Sequence, residues 1–572
     1  MSDMEKREML SEVALGNIPP DIVLNGTLFN AYTGEFIPGQ SIWIKGDRIA
    51  YVGPDHDPSR DDRTVVIDAE DRVLLPGLID GHSHLSRYSL EELIRHVIPC
   101  GVTTVVTETI ELATFVGKEG LEYFARGLEG QPIRIYYTLP PLCGLTVSNE
   151  IMAPRNEDLR SFFQDPRCLG VGEIYWGNIF LKGEQGNRVR ELASIALDLG
   201  KRVEGHGAGA KGRRLQAYTC FGVSSDHEPT NEDEVLERLR LGHWVMIREG
   251  SVRRELDGVK GIFEKKIDFR RLVLATDSID AKDFLAEGNL DGAVKRALRL
   301  GIPPGLVYQM VTLNVAEHFR LDHMIGSLAP GAAADILIVP SPGEFFPQLV
   351  MCNGRIIFQD GKTLAEPKKF FFPEEMFHTV NVQSTTFPPL PSKGKVRVID
   401  LVTRLVTRER IIDLEDPEES KDVITIFAVD RVGNGGSFTG FLKGFGLQRG
   451  AYGSTMTWDT VDMAVAGCDT RSMKTVIERL KEIGGGAVYA IGEEIVAEFA
   501  APFYGMMSLK SMEAVRDEIG KIEDSLRKNG VTWEKPALTF DTLTTVAIPH
   551  MRISHQGYVR LKDRKILPVE IA

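Results

Sequence analysis

His82 and His84 stand two residues apart at the end of the apolar stretch LLPGLIDGHSH. On a β-strand, side chains at i and i+2 project from one face, so both imidazoles can enter one cavity. A lone His-x-His is as often a pair of buried or solvated histidines as a metal site. Further along come Glu173 in GVGEIYW, His206 in RVEGHGAG, His227 in SSDHE and Asp277 in LATDS, each at the end of an apolar run. Histidines and carboxylates in this number are what two divalent cations about 3.5–4 Å apart require, with one carboxylate between them. In that reading His82, His84 and Asp277 hold one cation, His206 and His227 the other, and Glu173 bridges. Nitrogen and oxygen donors of this kind suit Mn, Fe or Zn.

Side chains so far apart in the chain need a scaffold that gathers strand ends. From Leu74 to His323 apolar strands alternate with helical stretches such as SLEELIRHVIPCG, RVRELASIALDLGK and EDEVLERLRLG. That alternation predicts a (β/α)8 TIM barrel over residues 74–323, whose C-terminal rim is where barrel enzymes place their chemistry. Residues 1–73 open with a helix from about Asp3 to Leu15 and continue as short strands broken by Asn-Gly, Pro-Gly and Gly-Asp turns. The same texture returns over residues 324–365, so the two flanks are expected to build one composite β-sandwich domain around the inserted barrel. Residues 366–395, rich in Pro, Lys and Phe, read as a packed linker. Residues 396–572 mix strands with the helices SMKTVIERLKEIG and SMEAVRDEIGKIEDSLRKNG, which predicts a C-terminal α+β domain.

The bulk properties exclude several functions. At 572 residues the chain is too long for one hydrophobic core. With 43% hydrophobic and 26% charged residues it has the make-up of a globular protein, and a formal charge of −14 argues against nucleic-acid binding. No apolar run reaches membrane-spanning length, and the polar N-terminus lacks a signal-peptide core, so a cytoplasmic protein is expected. Cys100, Cys143, Cys168, Cys220, Cys352 and Cys468 form no CxxC pair, which fits reduced thiols and argues against a disulfide framework or a Cys-ligated zinc. Gly207-Ala208-Gly209-Ala210-Lys211-Gly212 fits G-x-G-x-x-G, but it follows His206 inside the barrel pattern and lacks the downstream acid of a dinucleotide site. The H-x-E plus P-C-x-x-C pattern of the zinc-dependent nucleobase deaminases is absent as well.

The PG-L-I-D-G-H-S-H strand, His206, His227 and Thr276-Asp277 resemble the amidohydrolase superfamily. More narrowly, GVTTVV (101–106), VEGHGAG (203–209), SSDHE (224–228), RLRLGHWVMIREGS (238–251), TLNVAE (312–317), GSLAPGAAADILIV (326–339) and GFLKGFGLQRGAYGST (440–455) are similar to bacterial adenine deaminases. The resemblance covers nearly the whole chain. It implies a barrel with two divalent cations, a glutamate bridge at Glu173, and hydrolytic deamination of adenine by a metal-activated hydroxide with Asp277 as general base and acid.

Several positions depart from the family pattern. Leu85-Ser86-Arg87 replaces Ile-Glu-Ser after His84, Glu108-Thr109-Ile110-Glu111 lacks the family histidine, and Asp277 is followed by Ser278-Ile279-Asp280. Asp459-Thr460-Val461-Asp462 stands for Asp-Ser-His-Asn, and Arg431-Val432-Gly433-Asn434-Gly435 for a double-His segment. Glu228, Glu111 and Arg87 are the expected substrate contacts, while Arg248 and Glu249 fit either a supporting pair or a surface pair. The expected partner is a small heterocycle, with neither nucleic acid nor membrane, in a homo-oligomer, a dimer being favoured. The alternative substrate is a lactam or imide ring opened by a cyclic amidohydrolase. A degenerate barrel serving only to bind is disfavoured by the complete ligand set.

Overall fold

The computed structural model describes the chain apart from residues 1, 55–57, 60, 86, 142, 143, 370 and 572, so Ser86 and Cys143 lie outside the described residues. Eight strands form the barrel: β1 (Leu78–His84), β2 (Val102–Glu108), β3 (Arg134–Leu139), β4 (Cys168–Tyr175), β5 (Arg202–His206), β6 (Ser225–Asp226), β7 (Trp244–Arg248) and β8 (Leu272–Ala275). The first five pair in parallel as one sheet and the last three as another. Two seams join them. Ser224 N donates to Val203 O at 2.9 Å between β5 and β6, and Asp277 N donates to His82 O at 2.9 Å between β8 and β1. β1, β2, β4, β7 and β8 are buried along their whole length, which explains their near-continuous apolar runs: helices cover one face and packed side chains fill the other.

Helices outside the ring start where their caps place them. Ser89 caps Leu90–Val97, Asn231 caps Glu232–Arg240 and Asp280 caps Ala281–Glu287, each side chain accepting a backbone N–H of the first turn. Buried Asp80, on the same face of β1 as His82, accepts from Thr276 N at 3.2 Å and Thr276 Oγ1 at 2.6 Å. That carboxylate ties β1 to the end of β8, one residue before Asp277.

The two flanks share one eight-stranded sheet. Ile22–Asn30 pairs in parallel with Val65–Pro76, which pairs on its other side, antiparallel, with Ile336–Val339. The sandwich expected from both flanks is therefore one continuous sheet. It curls until Ile49 N meets Ala332 O at 2.9 Å, enclosing a core of Leu24, Ile42, Ile44, Ile336, Ile338 and Met351.

Beyond residue 395 a second eight-stranded sheet carries the helix Thr470–Glu482, whose Met473, Val476, Ile477 and Leu480 pack on Phe427, Val465 and Val488. Phe372, in the segment before it, lays its ring 4.0 Å from that of Phe503. The helix Met512–Lys528 lies between this sheet and the barrel helix Ala281–Glu287. Its first residue donates from N to Glu92 Oε2 at 2.8 Å, and one apolar core runs without a break from the barrel into this part of the chain. Among the described residues no helix is long and apolar enough to cross a membrane.

Candidate metal centre

The six expected ligands converge at the C-terminal rim, all buried. The pleat of β1 turns His82 and His84 inward together, their rings 5.3 Å apart and perpendicular. His82 Nδ1 lies 3.4 Å from Glu108 Oε1, and its Nε2 lies 3.4 Å from Asp277 Oδ1. His84 Nδ1 is 3.0 Å from Glu111 Oε1, while its Nε2 faces Glu173 Oε1 and Asp277 Oδ1, both at 3.6 Å. Glu173 Oε2, from β4, sits 2.7 Å from His206 Nδ1 and 2.9 Å from His227 Nε2. Asp277 follows β8 with φ of 62°, the left-handed region that non-glycine residues seldom use, and there its carboxylate meets the histidines of β1.

The grouping differs from the expected split. The tight sets are His82, His227 and Asp277 on one side and Glu173, His206 and His227 on the other. His227 belongs to both because its ring stacks on that of His82, with centroids 4.2 Å apart and planes at 21°. His84 stands a little back, reaching Glu173 and Asp277 only at the 3.6 Å given above.

A divalent cation fits these residues on the evidence of their own contacts. His82 Nε2 is buried without a hydrogen-bond partner among the described residues, a position a native protein rarely tolerates unless something is bound. His206 Nδ1, His227 Nε2 and Glu173 Oε2 crowd within 3.1 Å of one another. Burial pulls the His206 imidazole down, yet Glu228 and Glu173 raise it to about 9. His84 reaches about 9 by the same balance, with Glu111 and Glu173 outweighing burial. So many buried carboxylates demand positive charge, which protons supply when no cation does.

Of the expected substrate contacts, only Glu228 lines the chamber. Its Oε1 is 3.6 Å from both His206 Nε2 and His227 Nε2, and it pairs with Arg248. Glu111 is spent differently: it opens the helix directly after β2, and its carboxylate closes on His84. Arg87 is a correction. It has a positive φ and donates from Nη2 to buried Asp541 Oδ2 at 2.5 Å, binding the C-terminal domain to the barrel away from the metal residues.

Arg248, which the sequence left between two roles, is buried and sits among three acids. It pairs with Glu228, with Asp277 Oδ2 at 3.2 Å and with Glu255 Oε1 at 3.3 Å. Glu108 was missed, although its place beside His84 in the β1–β2 register marks it as a rim residue. Gly207 is glycine because a Cβ there would lie 2.1 Å from Asp226 Oδ2. Buried Arg238 holds Asp226 at 2.7 Å and donates to Gly207 O and Ala210 O, so the glycine-rich loop is a packed corner.

The chamber over the metal residues has a volume of about 200 Å3. Glu228, Arg248, Thr230 and Glu234 form a polar side, whereas Leu405, Val406, Trp458 and Ile548 close it from the C-terminal domain. No sequence signal pointed to that wall. Trp458 stacks over His84 with ring centroids 6.0 Å apart.

A barrel whose rim gathers histidines and acids around a small chamber is the architecture of a metal-dependent hydrolase, and residues 73–357 match the amidohydrolase family. Such enzymes typically depend on divalent metal ions and act on C–N bonds. Residues 401–565 match the adenine deaminase C-terminal domain. The chain is 32% identical to the adenine deaminase of Cereibacter sphaeroides, over 97% of this chain and 98% of that protein. It is also 32% identical to that of Desulfatibacillum aliphaticivorans over 96% of each, and 30% identical to that of Cenarchaeum symbiosum over 98% of this chain and 94% of that protein. The chain belongs to the adenine deaminase family.

Proposed function

We propose that this chain hydrolyses the exocyclic amino group of adenine, giving hypoxanthine and ammonia. The observation that carries the reading is the convergence of His82, His84, Glu173, His206, His227 and Asp277 beneath a chamber of about 200 Å3. That volume is below the ~300–1,000 Å3 typical of drug-sized sites and suits a single heterocycle. Those six residues would hold two divalent cations, Mn, Fe or Zn, which supply Lewis acidity and lower the pKa of water to near neutrality.

The chain's own groups do the rest. Burial alone would raise the Asp277 carboxyl, but the neighbouring His82 imidazole and the charges of Arg248 and His227 hold it well below the usual carboxylate range. Asp277 is thus ionised and free to take the proton of the attacking water. It then delivers that proton to the leaving nitrogen as the tetrahedral centre at C6 collapses. Burial opposes ionisation of Glu228 as well, and Arg248, His206 and His227 overcome it, so Glu228 offers an acceptor to a ring N–H of the base. The apolar wall around Trp458 excludes water from the other face.

A homo-oligomer, a dimer being favoured, in the cytoplasm belongs to the same reading. The test is a screen of adenine, other purines and cyclic amides against enzyme loaded with Mn, Fe or Zn. Loss of the adenine absorbance with release of ammonia is expected. Ring opening of a cyclic amide with adenine untouched under every metal would overturn it.

A further inference from the structure

Each metal-facing histidine must present a lone pair from one ring nitrogen, and the partner of its other nitrogen decides which one that is. For His82 and His84 the partners are barrel carboxylates, Glu108 and Glu111. His206 is held from outside the barrel. Its Nε2 lies 3.2 Å from the carbonyl oxygen of Ala547. A carbonyl only accepts, so Nε2 is the nitrogen that keeps its proton, and Nδ1, which faces Glu173 and His227, is the one left to give its lone pair to a cation.

That carbonyl is fixed by one buried side chain. Ala547 N donates to Thr545 Oγ1 at 3.2 Å, and Thr545 Oγ1 donates in turn to Asp459 Oδ2 at 2.8 Å. The same oxygen accepts from Val546 N at 3.1 Å and from the Tyr175 hydroxyl at 3.3 Å. Tyr175 ends β4, two residues beyond Glu173. One carboxylate oxygen of the C-terminal domain therefore ties the segment Thr545–Ala547 to the strand that carries Glu173, and through Ala547 sets the orientation of His206.

We propose that Asp459 is a positioning residue for one half of the metal centre: it holds the Ala547 carbonyl where it selects the His206 tautomer that binds a divalent cation. The C-terminal domain thereby completes the cation site formed by Glu173, His206 and His227. The proposal rests on the metal reading given under Proposed function.

The experiment uses the full-length protein, stripped of metal and titrated with Mn2+, with bound and free ion followed by electron paramagnetic resonance. Asp459→Ala removes every acceptor. Thr545→Val cuts only the link to Ala547 and leaves Asp459 its other two donors, so it serves if the first variant does not fold. In both, one of the two binding events is expected to weaken about 10–100-fold, the usual effect of losing a group that orients a metal ligand, while the other stays as in the wild type. Asp459→Asn, which keeps an acceptor oxygen, is expected to restore it. Wild-type affinity at both sites in Thr545→Val, or equal weakening of both sites, would overturn the proposal. A wild-type protein that takes up none of Mn2+, Fe2+ and Zn2+ would instead overturn the metal reading beneath it.

Discussion

Replacing Asp277 by Asn separates proton transfer from cation binding. One carboxylate oxygen lies 3.4 Å from His82 Nε2 and 3.6 Å from His84 Nε2, and the other is 3.2 Å from Arg248. Asparagine keeps the shape and one oxygen but cannot take up a proton. Arg248 retains Glu228 and Glu255, so no buried cation is orphaned, and the stability cost is that of one charged hydrogen bond, roughly 1.5–3 kcal/mol. General acid–base catalysis contributes about 10²–10⁴ in rate, or about 2.7–5.5 kcal/mol at 1.36 kcal/mol per tenfold. Asp277 acts twice, as acceptor and then as donor, so the loss in kcat is expected near the upper end, about 10⁴-fold. The assay is ammonia release from adenine, run beside metal analysis and a melting curve of the same sample. A metal-loaded, folded Asp277→Asn that turns over within about tenfold of the wild type would refute the assignment.

Two further perturbations probe the surroundings. Glu111→Leu removes the acceptor of His84 Nδ1 and is expected to lower divalent-cation affinity about 10–100-fold, measured by competition with a chelator. His555→Gln tests the junction where Ser148 Oγ meets His555 Nε2 at 2.9 Å and Asp462 Oδ1 lies 2.5 Å from His555 Nδ1. Burial pulls the His555 imidazole down, but Asp462 outweighs it and raises the group above its ordinary value. A raised folded value means the charged pair stabilises fully below the unfolded value of about 6.5 and fades as pH rises through the folded one. The melting-temperature gap between wild type and variant is therefore expected to be widest in mild acid and to narrow in alkali; a gap that grows with pH would contradict the sign.

The barrel was legible because its strands are short apolar runs that end in chemically distinctive residues. His82, His84, Glu173, His206, His227 and Asp277 each fall at such an end, and the ring brings all six together. The composite sheet was legible from a turn-rich texture that stops before the barrel and resumes after it. What sequence could not supply was pairing across long separations. Arg87 looked like a substrate contact from its place after His84, but its partner is Asp541. Nothing local announces that Trp458 stacks on His84 or that Ala547 touches His206. Glu111 was expected to face the substrate and supports His84 instead, because the first turn of its helix puts its carboxylate 3.0 Å from His84 Nδ1. The sharing of His227 between two ligand groups follows from ring stacking, which depends on strand tilt and not on spacing.

The curled sheet built from the two flanks of the barrel sets an order of assembly. Val65–Pro76 has one neighbour made before it, Ile22–Asn30, and another, Ile336–Val339, that emerges only after the whole barrel has been synthesised. Until then one edge of Val65–Pro76, the strand that leads directly into β1, has unpaired backbone groups, and such an edge invites pairing with other chains. Contacts of this sequence separation slow folding, and intermediates with exposed strand edges aggregate. The device that locks the barrel's entrance to its exit in the finished protein is thus a liability during synthesis, and yield is expected to depend on how fast the nascent chain reaches Val339.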